Sequence, residues 1–261
     1  MANQPLHKEE LFANLKSGTR VTAPLLAGTV VSEIVMPCCN KNLLVLIATW
    51  LLSLCATGAR AQEPSPEKLS QLKHALVIVT TYDDRGKPLL QGSGFFITPE
   101  QVVTSLHVID QARRIRIETF AGKTIEVIGV AASDLDSDLT LLQIDTAHPD
   151  TTTLQLEDAA PREGESIFVL SSPLGSHWKT TRGQVGTMWN LAGTGFRLQI
   201  TASLRPGSSG GPVLNNQGRV IGVAAMHIWS ADDLDFAVPA ANLKALQASA
   251  GAAAVARAAR P

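Results

Sequence analysis

GlySerGlyPhePheIleThrProGluGlnValValThrSer, residues 92–105, is two short runs of aromatic and β-branched residues set about a turn at Pro99. Such side chains fit a pleated, half-buried surface, and proline closes a strand because it has no N–H to give. The stretch therefore reads as a strand over 92–98, a turn, and a second strand over 101–105. Similar text continues on both sides. LeuValIleValThrThrTyr (76–82) precedes it and ends in the turn cluster AspAspArgGlyLys. ArgIleArgIleGluThr (114–119) alternates charged and apolar residues, as a strand with one wet face does, and strands over 124–130 and 139–144 follow.

After the turn-rich break ProArgGluGlyGlu (161–165), a second group of strands is expected at 166–171, 180–188, 196–200, 211–214, 219–225 and 234–239. Many short strands at regular spacing predict an all-β barrel or sandwich. Leu69 to Ala75 has the makings of a short helix. The one convincing helix is AlaAlaAsnLeuLysAlaLeuGln (240–247), after which the Ala-rich tail 248–261 has no pattern that demands order.

The chain has 261 residues, 45% of them apolar, and a formal charge of −1. There is no basic excess to hold a nucleic-acid backbone and no phosphate-loop or zinc-finger spacing, so nucleic acid is excluded as an expected partner. The three cysteines, Cys38, Cys39 and Cys55, flank or fall within one apolar stretch, 43–54, which follows Lys41 and leads to AlaArgAla at 59–61. Basic, apolar and small-residue regions in that order make 36–61 a secretory signal cleaved near Ala61. The apolar core is about a dozen residues, short of the roughly 20 that span a bilayer. Residues 1–35 precede any ordinary signal, and Met36 is the expected start. The exported form, 62–261, is then periplasmic or secreted and must fold without disulfides. It comprises a polar lead-in at 62–74, a globular domain at 75–247 with halves at about 75–160 and 161–240, and the tail.

Three features carry chemistry. In ProGlySerSerGlyGlyPro (206–212), glycines on both sides of Ser209 permit a tight turn that exposes its hydroxyl and directs the amides of Gly207 and Ser209 to one point. Taken alone, the same letters also describe a Gly/Ser linker or a hairpin turn. A serine hydroxyl needs a base, and His107, ending ValValThrSerLeuHisVal where a strand leaves the core, is the best placed of six histidines. AspLeuAspSerAspLeuThrLeuLeu offers Asp134, Asp136 and Asp138 as the acid that orients the imidazole. Asp138, directly before an apolar strand, is the one expected to point inward. The histidines are not paired at ligand spacing, so no metal and no cofactor is expected.

Those three segments, in that order and with 31 and 71 residues between the three side chains, resemble the signatures of chymotrypsin-fold serine peptidases, in particular the HtrA/Deg-type branch. GlySerGlyPhePheIle, GlyArgValIleGlyVal and LeuAspPheAlaValPro are similar to that branch too. The resemblance covers about 75–246. It implies two packed antiparallel six-stranded Greek-key β-barrels with a short C-terminal helix, and a catalytic triad of His107 and Asp138 from the first barrel and Ser209 from the second. It also implies an oxyanion hole at the backbone of Gly207 and Ser209, and proteins or peptides as substrates. Two departures stand out. Ser208 occupies a position that is usually Asn in this branch and Asp in digestive enzymes, and no PDZ module follows the last helix.

By the same resemblance, the pocket for the residue before the scissile bond is walled by Ser203, Leu204 and Arg205 and by Ala225, Met226 and His227. No carboxylate is expected at its base, so small or medium aliphatic residues are favoured over Lys and Arg. A charged His227 at the mouth would instead favour an acidic residue. The rival reading is a catalytically silent peptide-binding module of the same fold.

Overall fold

The computed structural model describes residues 63–145, 151–174, 178–191, 195–228 and 234–258, with the backbone alone at 226–228 and 252–258. The expectations for 1–62, for the loop carrying His177, and for the side chains of Met226 and His227 lie outside the described residues.

The described chain is two closed six-stranded barrels. The first has the order β1 (Leu76–Tyr82), β2 (Pro88–Thr98), β3 (Gln101–Ser105), β6 (Leu139–Ile144), β5 (Thr124–Asp134) and β4 (Arg114–Thr119). The second has the order β10 (Pro212–Asn215), β11 (Val220–Ile228), β12 (Leu234–Pro239), β9 (Gly195–Ile200), β8 (Lys179–Leu191) and β7 (Ser166–Ser171). All pairings within the barrels are antiparallel, and closure leaves no free sheet edge. Every expected strand is present, several longer than the sequence indicates. β2 begins at Pro88 because a bulge between Thr80 and Tyr82 lets the hairpin go on pairing past Gln91.

Period-2 alternation distributes each strand between two cores. Val77, Val79, Phe96, Val102, Ile117 and Leu142 fill the first barrel. Val169, Val185, Leu198, Val213, Ile221 and Ala237 fill the second. The opposite faces meet in a third cluster, where Leu76, Phe95, Leu139 and Leu141 of the first barrel pack with Leu170, Leu214, Val223 and Val238 of the second. That shared core holds the two barrels against each other and so fixes whatever lies in the cleft between them.

Among the described residues three helices accompany the barrels: α1 (Pro66–Lys73), the single turn α2 (Leu106–Ile109) and α3 (Ala240–Ala258). α1 starts earlier than its apolar residues indicate because Ser65 caps it, its hydroxyl accepting the Lys68 N–H, with Pro66 at the first helical position. α3 runs well past residue 247. The alanine-rich text has no amphipathic pattern, but alanine has the highest intrinsic helix propensity, which extends a helix already nucleated by Leu243 and Leu246 in the shared core. Lys244 ties α3 to the connection between the barrels, its Nζ donating to Glu157 O and Asp158 Oδ1, each at 2.6 Å.

Candidate active site

β3 ends at the barrel rim, and α2 turns the chain so that His107 stands over the cleft, its side chain half exposed at 49%. The loop between β5 and β6 brings Asp138 to it. Asp138 has φ 57°, a left-handed conformation that Asp tolerates better than most residues. Its carboxylate then grips His107 twice: Oδ2 lies 2.6 Å from the ring Nδ1, and Oδ1 accepts the His107 main-chain N–H at 2.8 Å. The Asp138 carbonyl accepts the N–H of Leu106 at 3.0 Å. The two other acids in the segment do different work. Asp134 accepts the N–H of Asp136 and the hydroxyl of Ser137, shaping the turn, and the carbonyl of Asp136 accepts a bond from Arg197.

Arg197 of β9 is fully buried, although a charged side chain in a strand ordinarily faces water. Its Nη2 reaches from β9 to Asp136 O at 3.0 Å, and Nη1 donates to Phe196 O at 3.1 Å. Its Nε has no partner among the described residues. Burial pulls this guanidinium below its ordinary pKa, against the opposing pull of the Asp138 and Asp134 charges.

Ser209 sits on the loop before β10. Its Oγ donates to the carbonyl of Ala225 on β11 at 3.1 Å. The loop's backbone follows an alternating pattern. The N–H of Ser208 is spent on Arg205 O at 2.8 Å and that of Gly210 on Ala224 O at 2.7 Å. Among the described residues, those of Gly207 and Ser209 meet no acceptor. Gly207 has φ 90° and is wedged against the chain at 172–174, where a Cβ would lie 2.8 Å from Leu174 N. Only glycine fits there. Ser208 is buried, its Oγ accepting from Ser171 Oγ and Arg205 N. Neutral hydroxyl contacts therefore hold the position where relatives of the resembled type carry Asn or Asp.

A second anchor for this loop comes from the other barrel and is not evident in sequence. Ser93 of β2 is 1% exposed. Its N–H donates to Ser209 O at 2.8 Å, and its Oγ donates to Gly207 O at 2.7 Å and accepts the Ser172 N–H at 2.9 Å. Thr104 Oγ1 completes the site by donating to Ser93 O at 2.8 Å.

The expected pocket residues are less uniform. Ser203 and Arg205 are exposed, while Leu204 is buried in the core of the second barrel. Ala225 is buried beside Ser209 through its carbonyl. Beside this segment Asp235 of β12 is buried, and its Oδ1 accepts the Leu204 N–H at 3.1 Å. An Asp within an apolar strand gives no sign in sequence of pointing inward. Among the described residues no three His, Cys, Asp or Glu side chains converge where a metal could sit.

A family model for the trypsin-like peptidase domain matches residues 92–223, half of the chain. The chain is 32% identical over 171 residues to the mitochondrial serine protease HTRA2 of Bos taurus, covering 62% of this chain and 37% of that protein. It is 31% identical over 172 residues to the serine protease Do-like HtrA of Bacillus subtilis (strain 168), covering 59% and 37%. The chain thus spans less than two fifths of the length of these curated relatives. Its fold matches the active form of the Rv3671c protease from M. tuberculosis with a TM-score of 0.64 at 22% identity, over 73% of this chain and 88% of that one.

Proposed function

The chain belongs to the trypsin-like peptidase domain family, and from that premise we propose that it is an exported serine endopeptidase with Ser209 as nucleophile, His107 as base and Asp138 as orienting acid. The observation that carries the reading is the double grip of Asp138 on His107. A carboxylate on Nδ1 keeps the proton there, leaves the Nε2 lone pair free to act as a base, and stabilises the imidazolium that results.

In this mechanism Ser209 Oγ leaves Ala225 O by rotation of its side chain and attacks the carbonyl carbon of the scissile bond while Nε2 takes its proton. A C–O bond forms and the carbonyl electron pair moves onto oxygen, where the unspent N–H groups of Gly207 and Ser209 receive it. The C–N bond then breaks, His107 returns the proton to the departing amine, and the acyl group remains on Ser209. Water, deprotonated by the same Nε2, releases the acid and restores the serine. Aliphatic residues are preferred before the cut, since Asp235 is already engaged by the Leu204 amide. The signal at 36–61 delivers the protein across the membrane, and N-terminal sequencing of the envelope protein at or near Gln62 tests that.

One observation favours a silent peptide-binding module: the Ser209 proton is given to Ala225 O, not to the ring. A fluorophosphonate probe separates the two. Labelling that Ser209→Ala abolishes supports the peptidase, as does a loss of hydrolysis of about 10⁴-fold in Ser209→Ala, His107→Ala and Asp138→Asn. Triad members act as a unit, so the double variant at 107 and 209 should be scarcely worse than either single one. A folded protein that the probe ignores is the silent module.

A further inference from the structure

The turn between β5 and β6 is held both from within and from outside. Asp134 Oδ1 accepts the N–H groups of Asp136 and Ser137 at 3.1 and 3.4 Å, and the Asp138 N–H donates to Leu135 O at 3.3 Å. These bonds shape the turn without tying it to the second barrel. That tie comes from Arg197, whose Nη2 donates to Asp136 O at 3.0 Å across the boundary. Leu198 and Ile200 point into the core of the second barrel, so period-2 alternation sends Arg197 to the other face of β9, towards the first barrel.

A buried guanidinium is a poor way to stabilise a fold, since an apolar side chain of similar volume commonly does as well. Here Nε lacks a partner among the described residues, which adds to the cost of burial. What this side chain supplies that an apolar one cannot is a directed bond to one carbonyl. That carbonyl belongs to the peptide joining Asp136 to Ser137, one peptide unit ahead of the one that enters Asp138.

Asp138 is the residue that needs such support. Its φ of 57° is a conformation that persists when the surroundings determine it from both sides. After it, Leu139 is fully buried in the shared core. Before it, Ser137 is buried, and Arg197 holds the peptide on its N-terminal side. Both Asp138 carboxylate oxygens are committed to His107, one to the ring and one to the main-chain N–H, so a rotation of the preceding peptide would swing the carboxylate out of that grip. We propose that Arg197 is a positioning residue for the catalytic acid: by holding Asp136 O from the second barrel it fixes the backbone of Asp138 and, through Asp138, the orientation of the His107 ring. The inference rests on the peptidase reading above. It also sets the base in register with the nucleophile, because Arg197 and Ser209 stand on the same barrel.

The test is a comparison of variants at 197. Arg197→Met fills the space with no donor and should stay folded, which thermal unfolding checks. Its kcat should fall about 10–100-fold with KM within about twofold, since a displacement of about 1 Å costs on the order of 10²-fold and complete loss of the acid about 10⁴-fold. Arg197→Lys keeps a cationic donor and should recover part of kcat. The direct readout is the far-downfield proton resonance of the His107 Nδ1–H bonded to Asp138, expected in the wild type, broadened or lost in the Met variant and restored in the Lys variant. Arg197→Gln, neutral and too short to reach Asp136 O, repeats the comparison if the Met variant does not fold. A folded Met or Gln variant with wild-type kcat, or one whose kcat falls while the resonance stays sharp, overturns the assignment. Loss of folding in all three variants also overturns it, by making Arg197 a structural residue. The resonance does not depend on turnover, so the two readings fail separately. Folded wild-type protein that a fluorophosphonate ignores sinks the peptidase reading, whereas labelled wild type with an unmoved resonance in the Arg197 variants sinks the positioning role alone.

Discussion

Ser93→Ala removes one oxygen atom from an enclosed junction between the two barrels. The hydroxyl is buried and makes two bonds, to Gly207 O at 2.7 Å and from Ser172 N at 2.9 Å. Its loss leaves a carbonyl and an N–H without partners, in a space that alanine enlarges too little to admit water. Each buried unmet group costs about 1–3 kcal/mol, so relaxation should leave a net loss of roughly 2 kcal/mol. For a domain of this size that lowers Tm by about 4–8 °C. The catalytic effect is separate. Gly207 O belongs to the peptide that joins Gly207 to Ser208, so releasing it loosens the turn that aims the Gly207 and Ser209 amides. Complete loss of one oxyanion donor costs about 10²–10³ in kcat. The Leu174 N–H still holds Pro206 O and the Ser93 N–H still holds Ser209 O, so we expect roughly 10–100-fold, with KM within about twofold. The pH profile should keep its shape, because His107 and Asp138 are untouched. Steady-state kinetics on a chromogenic peptide and the rate of fluorophosphonate labelling read this out, and Ser93→Thr, which keeps the hydroxyl, should recover part of kcat. A variant with the expected fall in Tm and unchanged kcat would refute the positioning role and leave Ser93 a structural residue.

Three other outcomes are expected. Arg197→Ala leaves a cavity and frees Asp136 O, so urea unfolding should show a loss of about 2–4 kcal/mol, whereas Arg197→Met fills the space without an unmet guanidinium and should lose far less; equal losses would contradict this. The Lys244 ammonium beside Asp158, and the Ala159 and Asp158 N–H groups bonded to Glu157, hold those two carboxyls below the usual range. A lowered folded pKa gives stability that is present above the ordinary value of about 4 and is lost as pH falls through the folded pKa, so Lys244→Met should flatten the acid limb of stability measured by urea midpoints between about pH 7 and pH 3. Cleavage-site profiling should find Val, Ala, Ile or Leu before the cut; predominant cutting after Lys or Arg, abolished by Asp235→Asn, would show instead that Asp235 meets the substrate.

The barrels are legible in sequence because β-branched runs and turn residues are local signals, and the shared core follows once alternate faces must both be buried. The strand ends are less so: β2 begins at Pro88 through a bulge, and α3 continues on alanine propensity with no amphipathic stripe to announce it. His107, Asp138 and Ser209 stand out because each lies in a motif. Ser93, Arg197 and Asp235 do not, for one physical reason. Each is a polar residue in a strand, where sequence assigns it to solvent, and each is buried because its partner comes from a distant segment: Gly207, Asp136 and Leu204 in turn.

The division of the site between the barrels has a temporal side. His107 and Asp138 stand on the first barrel and Ser209 on the second, and the loop bearing Ser209 is moored by Ser93 across the boundary. A chain with only one barrel closed owns a base without a nucleophile or a nucleophile without a base. If His107, Asp138 and Ser209 work together as proposed, latency is written into the architecture itself, since the site can form only at the moment its two halves meet.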